Sequence, residues 1–258
     1  MKRVISILTS LTLLLTILAG CNSINNNGNN QNDAEGTYML TERQIDILES
    51  QGLPTDYERL NVAQKASIEA IEDMLEYLEK KYPDEAFYYE GYVMASVNDE
   101  EHLKAKSGNG TVTVYRKNGE FVDNYALIAA APVYEEAVKD QISTIIEDDL
   151  VMVLAKVEDL SISKYDKNNI ISLCPFAGVT IFVKEEVGKD KFEEAFQNMT
   201  SFFKEKAAGN SVTVDFYLIK NEQFSQYLLE RYGKNFGSDL YTEYKSYRLK
   251  ENGKEIIS

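Results

Sequence analysis

The 258-residue chain has no tryptophan, one histidine and two cysteines. Those scarcities exclude several chemistries. Structural zinc takes four nitrogen or sulfur ligands and catalytic zinc usually three protein ligands. His102 and Cys174, the only imidazole and the only thiol beyond residue 21, cannot furnish such a site. A nucleophilic cysteine would have to pair Cys174 with His102. Cys174 instead precedes Pro175 among apolar residues, with no close basic neighbour to favour a thiolate. The Gly-x-Ser-x-Gly elbow, the P-loop and the dinucleotide glycine fingerprint are all missing. Asp166-Lys-Asn168 begins like a calcium loop, but Ile171 and Ala177 stand where such a loop needs glycine and glutamate. Glu147-Asp-Asp149 reads as a solvated helix end rather than a cation site. No metal and no cofactor is therefore expected, and a catalytic role is less expected than a binding one.

Positive charge is also scarce, with 27 basic against 42 acidic residues and a net charge of −15. Nucleic acid is an unsuitable partner for such a chain, because binding it depends on a basic footprint. A polybasic grip on anionic lipid is excluded on the same ground.

The N-terminus carries what the rest lacks. Lys2 and Arg3 precede an apolar run from Val4 to Leu18, interrupted only by serines and threonines, and the segment ends in Leu18-Ala19-Gly20-Cys21. These are the three parts of a secretory signal, and the run of about 15 residues falls short of the ~20 that span a bilayer. The closing tetrad resembles the lipobox of bacterial lipoproteins. That resemblance implies a diacylglyceryl group on Cys21, cleavage just before it, and a body held on the outer face of the cell membrane. Without Lys2 and Arg3 the 27 basic residues become 25 against 42 acidic, so the mature net charge is −17. With Cys21 lipidated, Cys174 has no partner and no disulfide framework is expected.

Residues 21–36 form a polar, asparagine-rich stretch expected to act as a flexible tether, with an r.m.s. span of about 20 Å. The body then divides, on expectation, into an α+β lobe over 37–160 and a βαβαβ lobe over 161–258 that could be continuous with it. Capping boxes at Thr41–Gln44 and Thr55–Glu58 predict a helical hairpin. The second helix runs to about Lys81 on the stripe Ile68, Ile71, Leu75, Leu78 and Tyr82. Phe87–Ser96, Thr111–Arg116 and Phe121–Ala130 read as strands, the last two joined by the hairpin turn Asn118-Gly119, with Asn98–Gly110 as a loop. Pro132 is expected in the first turn of a helix reaching Asp149. Strands and helices then alternate: 150–157, 170–184 with a break near Pro175 and Gly178, a helix over 189–208, 211–219, a helix over 221–232, and 240–249. The whole is an α+β protein with a mixed sheet. Helix, three strands and helix over residues 57–149 are compatible with a cystatin-like unit, although the Gln-x-Val-x-Gly inhibitory motif is absent.

Aromatics are the remaining abundance, with 17 tyrosines and 11 phenylalanines. Tyrosine suits recognition because it combines rigid area with a hydroxyl. Tyr241, Tyr244 and Tyr247 cluster near the C-terminus beside Lys245 and Arg248. Simple alternation along a strand would put Tyr241 and Tyr247 on one face and Tyr244 on the other. The sequence thus points to a surface lipoprotein with a binding or accessory role toward a protein, peptide or cell-wall ligand. The alternatives are an extracytoplasmic hydrolase built on paired carboxylates and a small solute-binding receptor. Rich usage of Asn, Ile, Lys and Tyr suggests a Gram-positive source.

Overall fold

The N-terminal capping box does what its residues dictate. In the computed structural model, which describes residues 38–161, 164–224 and 236–258, the Gln44 amide donates to Thr41 Oγ1 at 3.1 Å and the Thr41 amide donates to Gln44 Oε1 at 3.0 Å. Helix α1 (Glu42–Ser50) follows. The second box is displaced. Tyr57–Arg59 form only a 3₁₀ turn, and α2 (Val62–Lys81) is opened by Asn61 and Gln64, which make the same reciprocal pair at 2.9 Å each. Asparagine with glutamine three residues on satisfies the same orphan amides as threonine with glutamate. The α2 stripe is buried at Ile68, Ile71, Leu75 and Leu78, with Met74 added, while Tyr82 lies just past the helix as its half-buried C-cap.

That stripe packs on a four-stranded antiparallel meander, β1 (Tyr88–Val93), β2 (His102–Ser107), β3 (Gly110–Lys117) and β4 (Glu120–Asp123). Strand β2 lies where a loop was expected. Its apolar members are modest, but Leu103, Ala105 and Ser107 face α2 while His102, Lys104 and Lys106 face away, a strict period of two. The Asn118-Gly119 hairpin forms, with φ of 53° and 84° at the two central residues, the left-handed pair that a tight turn requires. Helix, four strands and helix replace the expected helix, three strands and helix.

Helix α3 (Tyr125–Ile142) begins inside the segment expected to be a strand, and Pro132 sits in its interior. The run Tyr-Ala-Leu-Ile-Ala-Ala-Ala is strong helix-forming sequence, and the Pro132 ring removes one donor without ending the helix. Its first turns pack into the α2 core through Tyr125 and Ala129. Beyond them, Ala130, Tyr134, Ala137, Val138 and Ile142 enter a second core.

That core lies under a five-stranded mixed sheet in the order β5 (Val151–Val157), β6 (Phe176–Lys184), β7 (Ser211–Ile219), β8 (Tyr241–Leu249) and β9 (Glu255–Ile257). β6 and β7 are parallel, joined by α5 (Lys189–Lys206), and the other pairs are antiparallel. A single helical turn, α4 (Ile170–Leu173), replaces the first part of the strand expected over 170–184, and β6 runs unbroken through Gly178. The helix expected over 221–232 is seen only as a 3₁₀ turn at Asn221–Gln223, and its remainder lies outside the described residues. α3 and α5 share one sheet face, burying the equivalent positions Tyr134 and Val138, Phe192 and Phe196. Leu40–Ser258 is one compact unit, and the boundary expected at 160/161 falls between β5 and β6, hydrogen-bonded neighbours in one sheet. The signal segment, Cys21 and the tether lie outside the described residues.

Candidate recognition face

One face of the five-stranded sheet is closed by α3 and α5; the other carries a smaller aromatic cluster, in which Phe182, Ile219 and Leu240 are fully buried and Met152, Tyr217, Phe236 and Tyr241 pack against them. Registers align Met152 with Phe182, Phe182 with Tyr217, and Tyr217 with Tyr244, so one row of side chains crosses four strands. The Tyr217 ring lies 5.8 Å from Phe182, 4.9 Å from Tyr244 and 5.0 Å from Tyr241. Phe236 adds a ring 4.9 Å from Tyr217 and stacks on Tyr241 at 5.9 Å. Such tilted and edge-on pairs at 4.5–7 Å are favourable and hold the rings in fixed poses.

A β-bulge sets which tyrosines join this face. Tyr241 pairs with Ile219 and Glu243 with Leu218, which leaves Thr242 without an opposite residue. One extra residue inverts the alternation. Tyr241 and Tyr244 therefore share the aromatic face, and Tyr247 pairs with Val214 in the core beneath α3 and α5. The grouping of Tyr241 with Tyr247 is corrected accordingly. Tyr247 is 1% exposed, whereas Tyr244 is 42% exposed. Burial, with Glu255 nearby, pushes the Tyr247 hydroxyl up to about 12. The basic pair beside these rings is also divided. Lys245 crosses the Phe196 ring to reach Glu193 at 2.8 Å on the helical side, while Arg248 is exposed on the aromatic side opposite Thr213.

Next to the aromatic row runs a second row, Leu154, Thr180, Asp215 and Ser246. Tyr244 donates to Asp215 Oδ1 at 2.9 Å, which fixes the most exposed ring of the cluster. Phe176, 44% exposed, lies at the start of β6 on this same side. The exposed part of this face is its margin, where Tyr244 and Phe176 stand beside Arg248 and Asp215, aromatic area next to hydrogen-bonding groups. Sequence reasoning missed Phe182, Tyr217 and Met152, because their alignment depends on the parallel register of β6 and β7.

The residues that could carry catalysis are not brought together. His102 lies on the outer face of the meander, its Nδ1 2.9 Å from the Glu100 carbonyl, and Cys174 is buried in the other core. Burial, with Asp159 nearby, pushes the Cys174 thiol up to about 12, so a thiolate is disfavoured. A surface cavity of about 390 Å³ opens among α3, α4 and α5, and Asp140 is the one carboxylate in its lining, already bridged by Lys167 at 2.8 Å. Paired carboxylates therefore do not converge there. Among the described residues no group of three or more His, Cys, Asp or Glu could hold a metal, and no helix is long and apolar enough to cross a membrane.

No family model and no curated protein matches the chain. Among solved structures, the crystal structure of a DUF5037 family protein from Ruminococcus gnavus is similar at 15% identity and a TM-score of 0.44, covering 70% of this chain and 91% of that one. A likeness that weak carries no argument about function.

Proposed function

We propose that this protein is a lipid-anchored surface lipoprotein that binds a protein, peptide or cell-wall ligand through the aromatic face of its five-stranded sheet. The carrying observation is Tyr244, 42% exposed and fixed by its bond to Asp215, at the margin of an aromatic cluster on the side away from α3 and α5 whose buried centre is Phe182. Rigid aromatic area, more than charge, supplies contact energy to an acidic body. Anchoring rests on the sequence alone: Leu18-Ala19-Gly20-Cys21 after a short apolar run, and an asparagine-rich tether that leaves the body free to meet its ligand.

The test is cross-linking on intact cells, with mass spectrometry of the captured neighbours, for the wild type and for Tyr241→Ala/Tyr244→Ala. The expected result is a neighbour captured by the wild type and lost from the variant, with the fold kept. Unchanged capture by the variant would remove the aromatic face from the account.

A further inference from the structure

The four-stranded meander has a face over which none of the described residues packs. On the α2 side Leu103, Ala105, Val112 and Val114 are fully buried. On the opposite side Tyr88 is 67% exposed, Val93 37% and Val122 49%, and none of them joins a packed core. A bulge at Glu90 arranges this: Tyr89 and Tyr92 both turn inward, and Tyr88, Gly91 and Val93 all turn outward.

The outer side is ordered in rows. Val93, His102, Tyr115 and Val122 form one across all four strands. Gly91, Lys104 and Thr113 form the next, and Tyr88, Lys106 and Thr111 a third. Lys104 and Lys106 are exposed, and neither has an ion-pair partner among the described residues. Two positions apart on a strand, their stems stand about 7 Å apart. The Glu90 carboxylate accepts from Thr111 at 2.9 Å at the end of the Lys106 row, so Lys104 and Lys106 outnumber that carboxylate beside exposed Tyr88, Val93 and Val122, and Lys117 lies over the Tyr115 ring.

We infer that this outer face docks an extended acidic peptide segment of a protein partner, one that alternates carboxylates with apolar side chains. Charge complementarity selects the sign: carboxylates spaced two residues apart in an extended chain repeat at about 7 Å, the spacing of the two lysines. The apolar row selects the class. A polyol-phosphate polymer would meet the lysines and leave Val93, Tyr115 and Val122 in water, whereas a peptide covers both. The segment lies across the face rather than adding to an edge, since β1 is bulged and β4 spans only Glu120–Asp123.

The test is panning of a displayed library of twelve-residue peptides on the immobilised full-length protein, its Lys104→Glu/Lys106→Glu variant and its Tyr241→Ala/Tyr244→Ala variant. Peptides alternating Asp or Glu with apolar residues are expected to be enriched on the wild type. Enrichment should fall at least tenfold on the lysine variant, whose melting temperature should match the wild type, and should persist on the tyrosine variant. The same sequences enriched on the wild type and the lysine variant alike would overturn the inference, as would enrichment of uncharged or basic sequences, or none. A poly(glycerol phosphate) chain that binds the wild type as tightly as the best peptide, and loses binding on the lysine variant, would make the polymer the occupant instead.

Discussion

At the scale of single residues, Asp123 shows how a buried charge is kept. Its side chain is 1% exposed, and it accepts from Tyr77 Oη at 2.6 Å, Lys81 Nζ at 2.6 Å, Tyr82 Oη at 2.9 Å and the Tyr125 amide at 2.9 Å. Burial alone would raise the Asp123 carboxyl, but the bonds from Lys81, Tyr77, Tyr125 and Tyr82 outweigh it and leave it below the ordinary value. Burial and the bond to Asp123 push Tyr82 up to about 12. The cluster ties the end of α2 to the β4–α3 junction. Asp123→Asn should cost about 2 kcal/mol near neutral pH. A depressed carboxyl stabilises the fold above its unfolded value near ~4, and that contribution is lost as pH falls through the folded value. The gap between wild type and variant should therefore shrink in acid, which chemical denaturation at pH 7 and pH 3 would measure. A constant gap would mean that Asp123 is not ionised. Tyr82 acts in the opposite direction, its contribution fading as pH climbs from about 10.

The hydroxyls of Tyr134 and Tyr247 are buried without a hydrogen-bond partner among the described residues. An unsatisfied buried polar group costs about 1–3 kcal/mol, so Tyr134→Phe and Tyr247→Phe should each leave stability unchanged or raise it by about 1 kcal/mol. Thermal unfolding of both variants checks this; a clear loss would mean that the hydroxyl is held by a buried water.

At the scale of elements, α3 joins the two sheets and guards one edge. Glu135 on α3 accepts the Ala155 amide of edge strand β5 at 2.9 Å. Burial raises the Glu135 carboxyl, against the pull of that amide. Glu135→Leu should free the β5 edge and cost about 1 kcal/mol, with more aggregation on heating seen by light scattering. Resistance equal to the wild type would show that the edge needs no such guard. Local signals made much of this architecture legible: the Thr41 capping box, the α2 stripe, the Asn118-Gly119 turn and the span of β7. Where they failed, the cause was physical. The Pro132 ring suggested a helix start, yet the helix accommodates it; the lysine-bearing β2 hid its alternation behind small inward residues. Neither bulge left a mark in composition, although each decides which tyrosines face outward.

At the scale of the whole molecule, a body acidic overall presents two faces that depart from its average, one aromatic and one locally basic. The proposed address draws on one contiguous stretch, Lys2 to Cys21, whereas the aromatic row draws on four strands spread from Met152 to Tyr244. Replacing Cys21 with alanine should release the body from the membrane fraction or leave it uncleaved; normal cleavage with unchanged membrane association would refute the anchor. The central claim is that Tyr244 meets the ligand, and one measurement reaches it most directly. A photoreactive phenylalanine analogue at position 244 in the full-length protein, illuminated on intact cells, should yield a discrete adduct that the same analogue at the buried position 247 does not. No adduct at 244, or the same adduct from both positions, would contradict recognition through this face.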